Sequence, residues 1–309
     1  RRASSIQRAI YFSSVVIFKE RLNLHQQKYT MQKTIQYIRA ELAAFYPETE
    51  ISGFIQMIMN SVLGLSYTQM ILEKDRVLET FESDRIKAIV ERLKTHEPIQ
   101  YILGVAEFYG LELKVQPGVL IPRPETEELV DWICKTKIPA SAKILDIGTG
   151  SGCIPLALKN ELPAADVMAV DVSEKALAIA TENAKKNELD VLFEPADILK
   201  WQERSWPQFD VIVSNPPYVM EREKKQMEAN VLEHEPALAL FVSDTDPLIF
   251  YRTIAQFASK QLNENGYLFF EINENLGDEM VELVKQLGFK SIELRRDLNG
   301  KNRMLRCEK

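Results

Sequence analysis

The sequence predicts an α/β protein, with a mostly parallel seven-stranded sheet flanked by helices on both faces and preceded by a small helical bundle. Three observations carry that expectation. Beyond residue 124, short apolar runs of strand length alternate with helical segments; the first run ends in a glycine-rich turn; and between Met31 and His96 apolar residues recur at helical spacing. A chain of 309 residues, 46% of them apolar, has room for one large core and a second, smaller domain.

Residues 1–30 hold six Lys/Arg against one Glu around an apolar run from Ala9 to Phe18. Lys19-Glu20-Arg21 breaks that run short of a membrane span, and no small-residue cleavage site succeeds it, so we read the segment as an N-terminal extension of no assigned function. Residues 31–96 form the expected helical domain. Ile35, Ile38, Leu42 and Phe45 recur at one helical spacing, and Ile86, Ile89, Val90 and Leu93 at another. Between them, Ser52 is expected to cap a helix through Met57 and Val62 that ends near Gly64.

Residues 97–124 read as an interdomain strand pair and linker. Tyr101, Phe108 and Tyr109 lead into the alternating Leu111, Leu113 and Val115, and Pro117, Pro122 and Pro124 punctuate the linker. Residues 125–309 are the expected catalytic domain, with strands at 143–147, 166–171, 191–194, 209–214 and 266–272. The tail, 291–295 and 303–307 around Asn299-Gly300, reads as a hairpin closing the sheet edge.

The net charge of −7 hides an asymmetry, because the basic first thirty residues leave −12 on residues 31–309. Grip on a nucleic acid backbone requires basic surface, so direct nucleic acid binding is not expected. The helical domain, counted from Met31 to Glu97, holds eight basic and ten acidic residues, which suits a protein partner. Cys134, Cys153 and Cys307 show no paired spacing, and His25, His96 and His234 stand far apart. No metal, no disulfide framework and no membrane partner are expected, and a reducing cytoplasm fits. A monomer is expected.

Ile144-Leu145-Asp146-Ile147-Gly148-Thr149-Gly150-Ser151-Gly152 is a buried strand running into a glycine-rich turn and then a helix of Ile154, Leu156 and Leu158. A dinucleotide loop spaces its glycines as Gly-x-Gly-x-x-Gly; here the third comes one residue early, at Gly152, and Cys153 takes the later place. With Asp146 at the strand end, the pattern favours a cofactor carrying an amino acid moiety. Asp171 ends the next strand, 21 residues after Gly150, where a carboxylate can accept from ribose hydroxyls. Asp197 and Ile198 come after the third strand, placed for an adenine amino group and face. Singly, each is more often a turn residue, but the ordered series of loop, Asp171 and Asp197 is far more specific than any member and points to S-adenosylmethionine.

Asn215-Pro216-Pro217-Tyr218 directly succeeds the apolar Val211-Ile212-Val213, at the carboxyl end of a central strand, where open parallel sheets place their ligands. The chemistry gives each residue a task. An amide or aromatic amino nitrogen is a poor nucleophile, because its lone pair is delocalised. Hydrogen bonds from its NH2 to the Asn215 side-chain oxygen and the Pro216 carbonyl would turn that lone pair toward a sulfonium methyl. The two prolines hold the acceptors rigid through their fixed φ, and Tyr218 can stack on the flat group and exclude water. No strong base is needed, since the proton leaves after attack.

These segments resemble the HemK/PrmC family, the peptide chain release factor glutamine N5-methyltransferases. The resemblance extends from about Met31 to the C-terminus. It rests also on Glu97-Pro98-Ile99-Gln100-Tyr101-Ile102-Leu103-Gly104, Phe108-Tyr109-Gly110, Ile121-Pro122-Arg123-Pro124-Glu125-Thr126-Glu127, Glu235-Pro236 and Gly300-Lys301-Asn302-Arg303. It implies a class I S-adenosylmethionine methyltransferase with a Rossmann-like sheet. The substrate it implies is the glutamine of the Gly-Gly-Gln motif in class I translation release factors, with the helical domain helping to dock the factor. By similarity, Gly148 to Gly152, Asp171, Ile198 and Asn215 would contact the cofactor and Asn215 to Tyr218 the glutamine. Ile198 departs from the Trp of some members, and Ser243-Asp244-Thr245-Asp246 lacks the glycines expected after Glu235-Pro236.

The rival reading is a DNA adenine-N6 or RNA methyltransferase, whose exocyclic amine poses the same problem but which must also extract a base and hold a phosphate backbone. The −12 body opposes it. A non-catalytic scaffold on the same fold would have no need of Asn215. Arg123, Glu125, Phe108, Tyr109 and Glu271 are polar or aromatic neighbours of the expected site with equally good packing or salt-bridge explanations.

Overall fold

A computed structural model describes residues 30–227 and 229–309, so the expected N-terminal extension, Thr30 apart, lies outside the described residues. The chain divides into two compact units, one ending at Ile99 and the other comprising Gln100–Lys309.

The first unit is helical. Helix α1, Met31–Leu42, starts where the Thr30 hydroxyl accepts the Lys33 N–H, and buries Met31, Ile38 and Leu42. Helix α2, Glu48–Leu63, starts five residues earlier than the Ser52 cap would place it: Pro47 occupies the N-cap, and Glu48 and Glu50 complement the helix dipole in the first turn. Ser52 therefore lies inside the helix and bonds Glu48 Oε1 at 3.3 Å. Gly64 ends α2 in the left-handed conformation, φ 68°.

A short helix α3, Tyr67–Leu72, is fixed by a capping box in which Ser66 N–H donates to Gln69 Oε1 at 2.8 Å. Helix α4, Thr80–Leu93, completes the bundle, and Ile86, Val90 and Leu93 are fully buried with Ile38, Leu42, Ile58 and Met59. Phe45 does not share that core. Helix α1 ends before it, and its ring is 42% exposed, edge-on to His96.

Helix α5, Ile99–Leu103, leads into an antiparallel hairpin of β1, Val105–Phe108, and β2, Leu111–Lys114. Helix α6, Pro124–Lys135, begins with proline at its first turn, where the missing N–H costs nothing. The main sheet comes next: β3 Lys143–Ile147, β4 Asp166–Asp171, β5 Leu192–Pro195, β6 Phe209–Ser214, β9 Leu262–Glu271, β10 Lys290–Arg296 and β11 Asn302–Glu308. A short parallel pair, β7 Val219–Met220 and β8 Phe241–Val242, stands apart from it. Helices α7 Cys153–Glu161, α8 Glu174–Lys186, α9 Ala229–His234, α10 Ala237–Leu240, α11 Ile249–Gln261 and α12 Gly277–Gln286 fill the connections.

The strand order is β10-β11-β9-β6-β3-β4-β5, parallel from β9 to β5, with β11 antiparallel to both its neighbours, β9 and β10. From β3 the chain runs outward through β4 and β5, then returns to place β6 on the other side of β3. The order therefore reverses between β3 and β6, the point at which a crevice opens above the carboxyl ends of an open parallel sheet. Two hydrophobic clusters pack on the sheet, one including Leu145, Ile212, Tyr251 and Phe270, the other Ile144, Val213, Leu156 and Phe269. This alternation of sides along β3, β6 and β9 is the period-2 pleat of a strand buried on both faces.

Candidate active site

The carboxyl ends of β3, β6 and β9 lie side by side, because Ile147 pairs with Ser214 and Ser214 with Phe270. The Ser214 hydroxyl donates to the Ile147 carbonyl at 2.7 Å and joins the ends of the two strands. The glycine turn leaves β3 at Gly148, Asn215 leaves β6, and Glu271 ends β9, so three remote segments converge on one edge.

The turn is held from beneath. Gly148 and Thr149 donate their N–H groups to the Val170 carbonyl at 2.9 and 3.1 Å, and Gly150 N–H donates to Asp171 Oδ2 at 2.9 Å. Asp171 Oδ1 accepts from Ser173 N–H at 2.8 Å, so each oxygen keeps a lone pair for a further donor. Burial raises the Asp171 carboxyl above its ordinary pKa, and the backbone donors oppose that shift. The buried Asn183 amide donates to the carbonyls of Ser151 and Lys114 and accepts the Lys114 N–H, tying the turn to β2.

The glycines of the turn differ in purpose. Gly148 and Gly150 have φ 78° and 56°, and a Cβ on either would project into open space, the room a ligand needs to approach the backbone. Gly152 has φ 81°, and a Cβ there would stand 3.0 Å from the Ala180 Cβ, so its service is close packing against α8.

Among the described residues, several buried polar atoms of this region lack a hydrogen-bond partner: both oxygens of Asp146, and the hydroxyls of Thr149 and Ser151. Burial pushes the Asp146 carboxyl up to about 7, the neighbouring Thr149 hydroxyl opposes that shift and Asp171 adds to it. Orphaned buried acceptors are costly unless a ligand supplies donors. A cofactor whose amino acid end both donates and accepts fits a cradle of one carboxyl and two hydroxyls, and Asp171 fits vicinal hydroxyls.

Asp197 caps a 3₁₀ turn, Ile198–Glu203, accepting the Leu199 N–H at 3.0 Å. Ile198 is buried among apolar side chains that include Val170 and Ile147. Both stand at the carboxyl-terminal side of β5; the cap is one of the two roles open to Asp197 from its sequence.

Asn215 and Tyr218 line a small pocket with Leu120, Arg123, Val219, Ala239, Leu240 and Glu271. Pro216 and Pro217 span the turn between the two. The Tyr218 hydroxyl donates to Glu271 Oε1 at 3.0 Å, and Asn273 Nδ2 donates to the Tyr218 carbonyl at 3.0 Å. Thr126, on the buried face of α6, donates to Glu271 Oε2 at 2.6 Å and accepts from Asn215 Nδ2 at 3.4 Å. Burial raises the Glu271 carboxyl, while the Thr126 and Tyr218 hydroxyls and Arg303 pull it back.

Asn183 carries no local signal in the sequence, Thr126 stands out there only as part of the Ile121 to Glu127 segment, and Glu271 is read as a neighbour of the expected site with an equally good strand-end explanation. Phe108 is buried in the core beneath the hairpin, and the Tyr109 N–H is held by Glu127 Oε1 at 2.7 Å. Arg123 forms an ion pair with Glu235 at 2.5 Å, and Glu235 also accepts the Ile121 N–H. The linker and the Glu235-Pro236 segment are thereby joined at the pocket rim. Among the described residues no group of three His, Cys, Asp or Glu side chains could hold a metal ion.

The family model described as Methyltransferase small domain matches residues 125–239, and the one described as PrmC N-terminal domain matches residues 33–104. A release factor glutamine methyltransferase of Flavobacterium psychrophilum is 46% identical over 275 residues, covering 88% of this chain and 96% of that protein. One from Bacteroides thetaiotaomicron is 44% identical, covering 89% and 99%. One from Streptococcus pneumoniae is 41% identical, covering 81% and 89%.

Proposed function

The chain belongs to the release factor glutamine methyltransferase family, and on that premise we propose that it methylates the side-chain amide nitrogen of the glutamine in the Gly-Gly-Gln motif of class I translation release factors, with S-adenosylmethionine as methyl donor. The observation that carries the reading is the convergence of Asn215 and Tyr218 on one small pocket beside the glycine turn. S-adenosylmethionine, when bound, supplies an electrophilic methyl on a sulfonium.

Most residues of the expected cofactor site have a direct part in holding it, Gly152 serving instead to pack the turn against α8. Asp146 offers an unpaired carboxyl, and Thr149 and Ser151 unpaired hydroxyls, for its amino acid end, and Gly148 and Gly150 leave the backbone approachable. Asp171 would accept from the ribose, and Asp197 and Ile198 would meet the adenine.

Catalysis then rests on Asn215, Pro216, Pro217 and Tyr218. The substrate NH2 donates to the Asn215 side-chain oxygen and the Pro216 carbonyl. Those two bonds fix the amide plane, and the gain is one of orientation for an in-line displacement. Tyr218, anchored through its hydroxyl to Glu271, packs on the flat amide and excludes water. No residue here has to act as a strong base before attack.

The helical unit, residues 31–96, is proposed to dock the factor, and residues 97–124 to link it to the catalytic domain, 125–309. Tyr67, Ile71, Leu72 and Phe81 are each 58% or more exposed, apolar side chains that a protein partner would cover. The protein is proposed to act as a cytoplasmic monomer, without direct nucleic acid contact. Replacement of Asn215 by Ala tests the mechanism: methyl transfer is lost while S-adenosylmethionine binding persists, and preserved turnover would contradict it.

A further inference from the structure

Two buried side chains, Thr126 and Glu271, meet the partly buried Asn215 and Tyr218 at the pocket in a fixed order of donor and acceptor. Glu271 is 1% exposed and Thr126 2% exposed. Glu271 accepts one hydroxyl on each oxygen, Thr126 at 2.6 Å and Tyr218 at 3.0 Å. Thr126 has a single hydroxyl proton, and Glu271 takes it. Toward Asn215 the same oxygen can therefore only accept, so the nitrogen end of the Asn215 amide faces Thr126 at 3.4 Å. The oxygen end is left for the pocket.

We propose that Thr126 and Glu271 are positioning residues that form a hydrogen-bond relay, locking the Asn215 amide with its oxygen toward the pocket, so that the site admits an NH2 donor and rejects an acceptor of the same shape. The inference rests on the amide-methylation reading above and deepens it. Asparagine is nearly symmetric in shape, and an unrestrained amide could turn its NH2 to the pocket and greet a carboxylate instead. Glutamate and glutamine side chains differ in this respect and hardly at all in size. The relay supplies the discrimination from a residue, Thr126, that lies 89 positions from Asn215 in sequence.

A site built around a fixed acceptor penalises a ligand that cannot donate, because both are left buried and unpaired. Thr126→Val keeps the shape, removes the hydroxyl and frees the Asn215 amide to turn. Thr126→Ser keeps the hydroxyl.

The test measures binding of purified release factor, with Gly-Gly-Gln or with its glutamine replaced by glutamate, to the full chain saturated with S-adenosylhomocysteine. Turnover on the Gly-Gly-Gln factor is measured alongside. The wild-type chain should bind the glutamate factor at least about tenfold more weakly, and Thr126→Val should shrink that ratio about fivefold or more. The same variant should lose about tenfold in kcat, with affinity for S-adenosylhomocysteine within about twofold of wild type. Thr126→Ser should restore both the ratio and kcat. Thr126→Ala makes the same deletion with less bulk and decides the matter if the valine variant does not fold.

An unchanged ratio in the variants lacking the hydroxyl, or a serine variant that behaves like valine, overturns the relay. Failure of the wild-type chain to methylate the factor at all overturns the functional reading instead, so the two failures are distinguishable.

Discussion

Asp171 accepts the backbone N–H of Gly150 at 2.9 Å, so the carboxylate expected to hold a ribose also pins the middle of the glycine turn. Asp171→Ala removes both services. Charge-assisted hydrogen bonds contribute about 1.5–3 kcal/mol each, so affinity for S-adenosylmethionine should fall by about 30-fold or more. Titration calorimetry on the purified variant checks it, and affinity within about threefold of wild type would contradict the role.

Alanine at two glycines should separate ligand approach from packing. At Gly148 a Cβ meets no protein atom but enters the open face of the turn; at Gly152 it meets Ala180. Both substitutions cost about 1–2 kcal/mol for a left-handed conformation. Gly148→Ala should therefore lose more in cofactor affinity than Gly152→Ala, and Gly152→Ala should lose more in melting temperature. Equal effects on both measures would show that the two positions serve alike.

The Asp146 carboxyl is pushed up to about 7 from an ordinary 3.8, chiefly by burial. A carboxyl whose folded-state pKa is raised leaves the native state holding more protons than the unfolded chain between those values. Its contribution to stability thus falls as pH rises from about 4 to 7 and stays low above that. In the cofactor-free protein, Asp146→Asn removes the penalty. It should raise the melting temperature relative to wild type at about pH 8, by the equivalent of about 2–4 kcal/mol, with the advantage gone near pH 4. The same variant should bind S-adenosylmethionine more weakly. A variant less stable than wild type at about pH 8 would contradict the account.

The Arg123–Glu235 pair is asymmetric: the glutamate side chain is 1% exposed, the arginine 32%. Removing Arg123 leaves a buried charge with one backbone donor, at 3.3 Å from Ile121, whereas removing Glu235 leaves a cation that water reaches. Arg123→Ala should therefore destabilise more than Glu235→Ala, by about 1 kcal/mol or more in urea unfolding. The opposite order would show that the rim is held by other contacts.

The strands are legible because β3, β4 and β6 are short apolar runs that need no neighbour to be recognised. The amino-terminal half of β9 is not. Asn263, Glu264 and Asn265 show no apolar alternation, and the strand reaches back to Leu262 because β6 pairs with it there and Asn263 bonds Asp210 at 2.7 Å. Ser52 misleads because a capping residue also serves inside a helix, and Pro47 already provides the start. Of the pocket, the glycine turn and Asn215–Tyr218 form contiguous motifs whose chemistry can be read from the chain. Thr126 meets Glu271 across 145 positions. No local pattern encodes such a meeting, although Thr126 stands in the 121–127 segment on which the family resemblance partly rests.

The most direct test of the central claim is transfer of radiolabelled methyl from S-adenosylmethionine to purified release factor. A factor with Gly-Gly-Gln changed to Gly-Gly-Ala and a tube of duplex DNA serve as controls. The account predicts label on the unaltered factor and on neither control; label on DNA alone would keep the fold and the methyl donor but contradict the assignment of substrate.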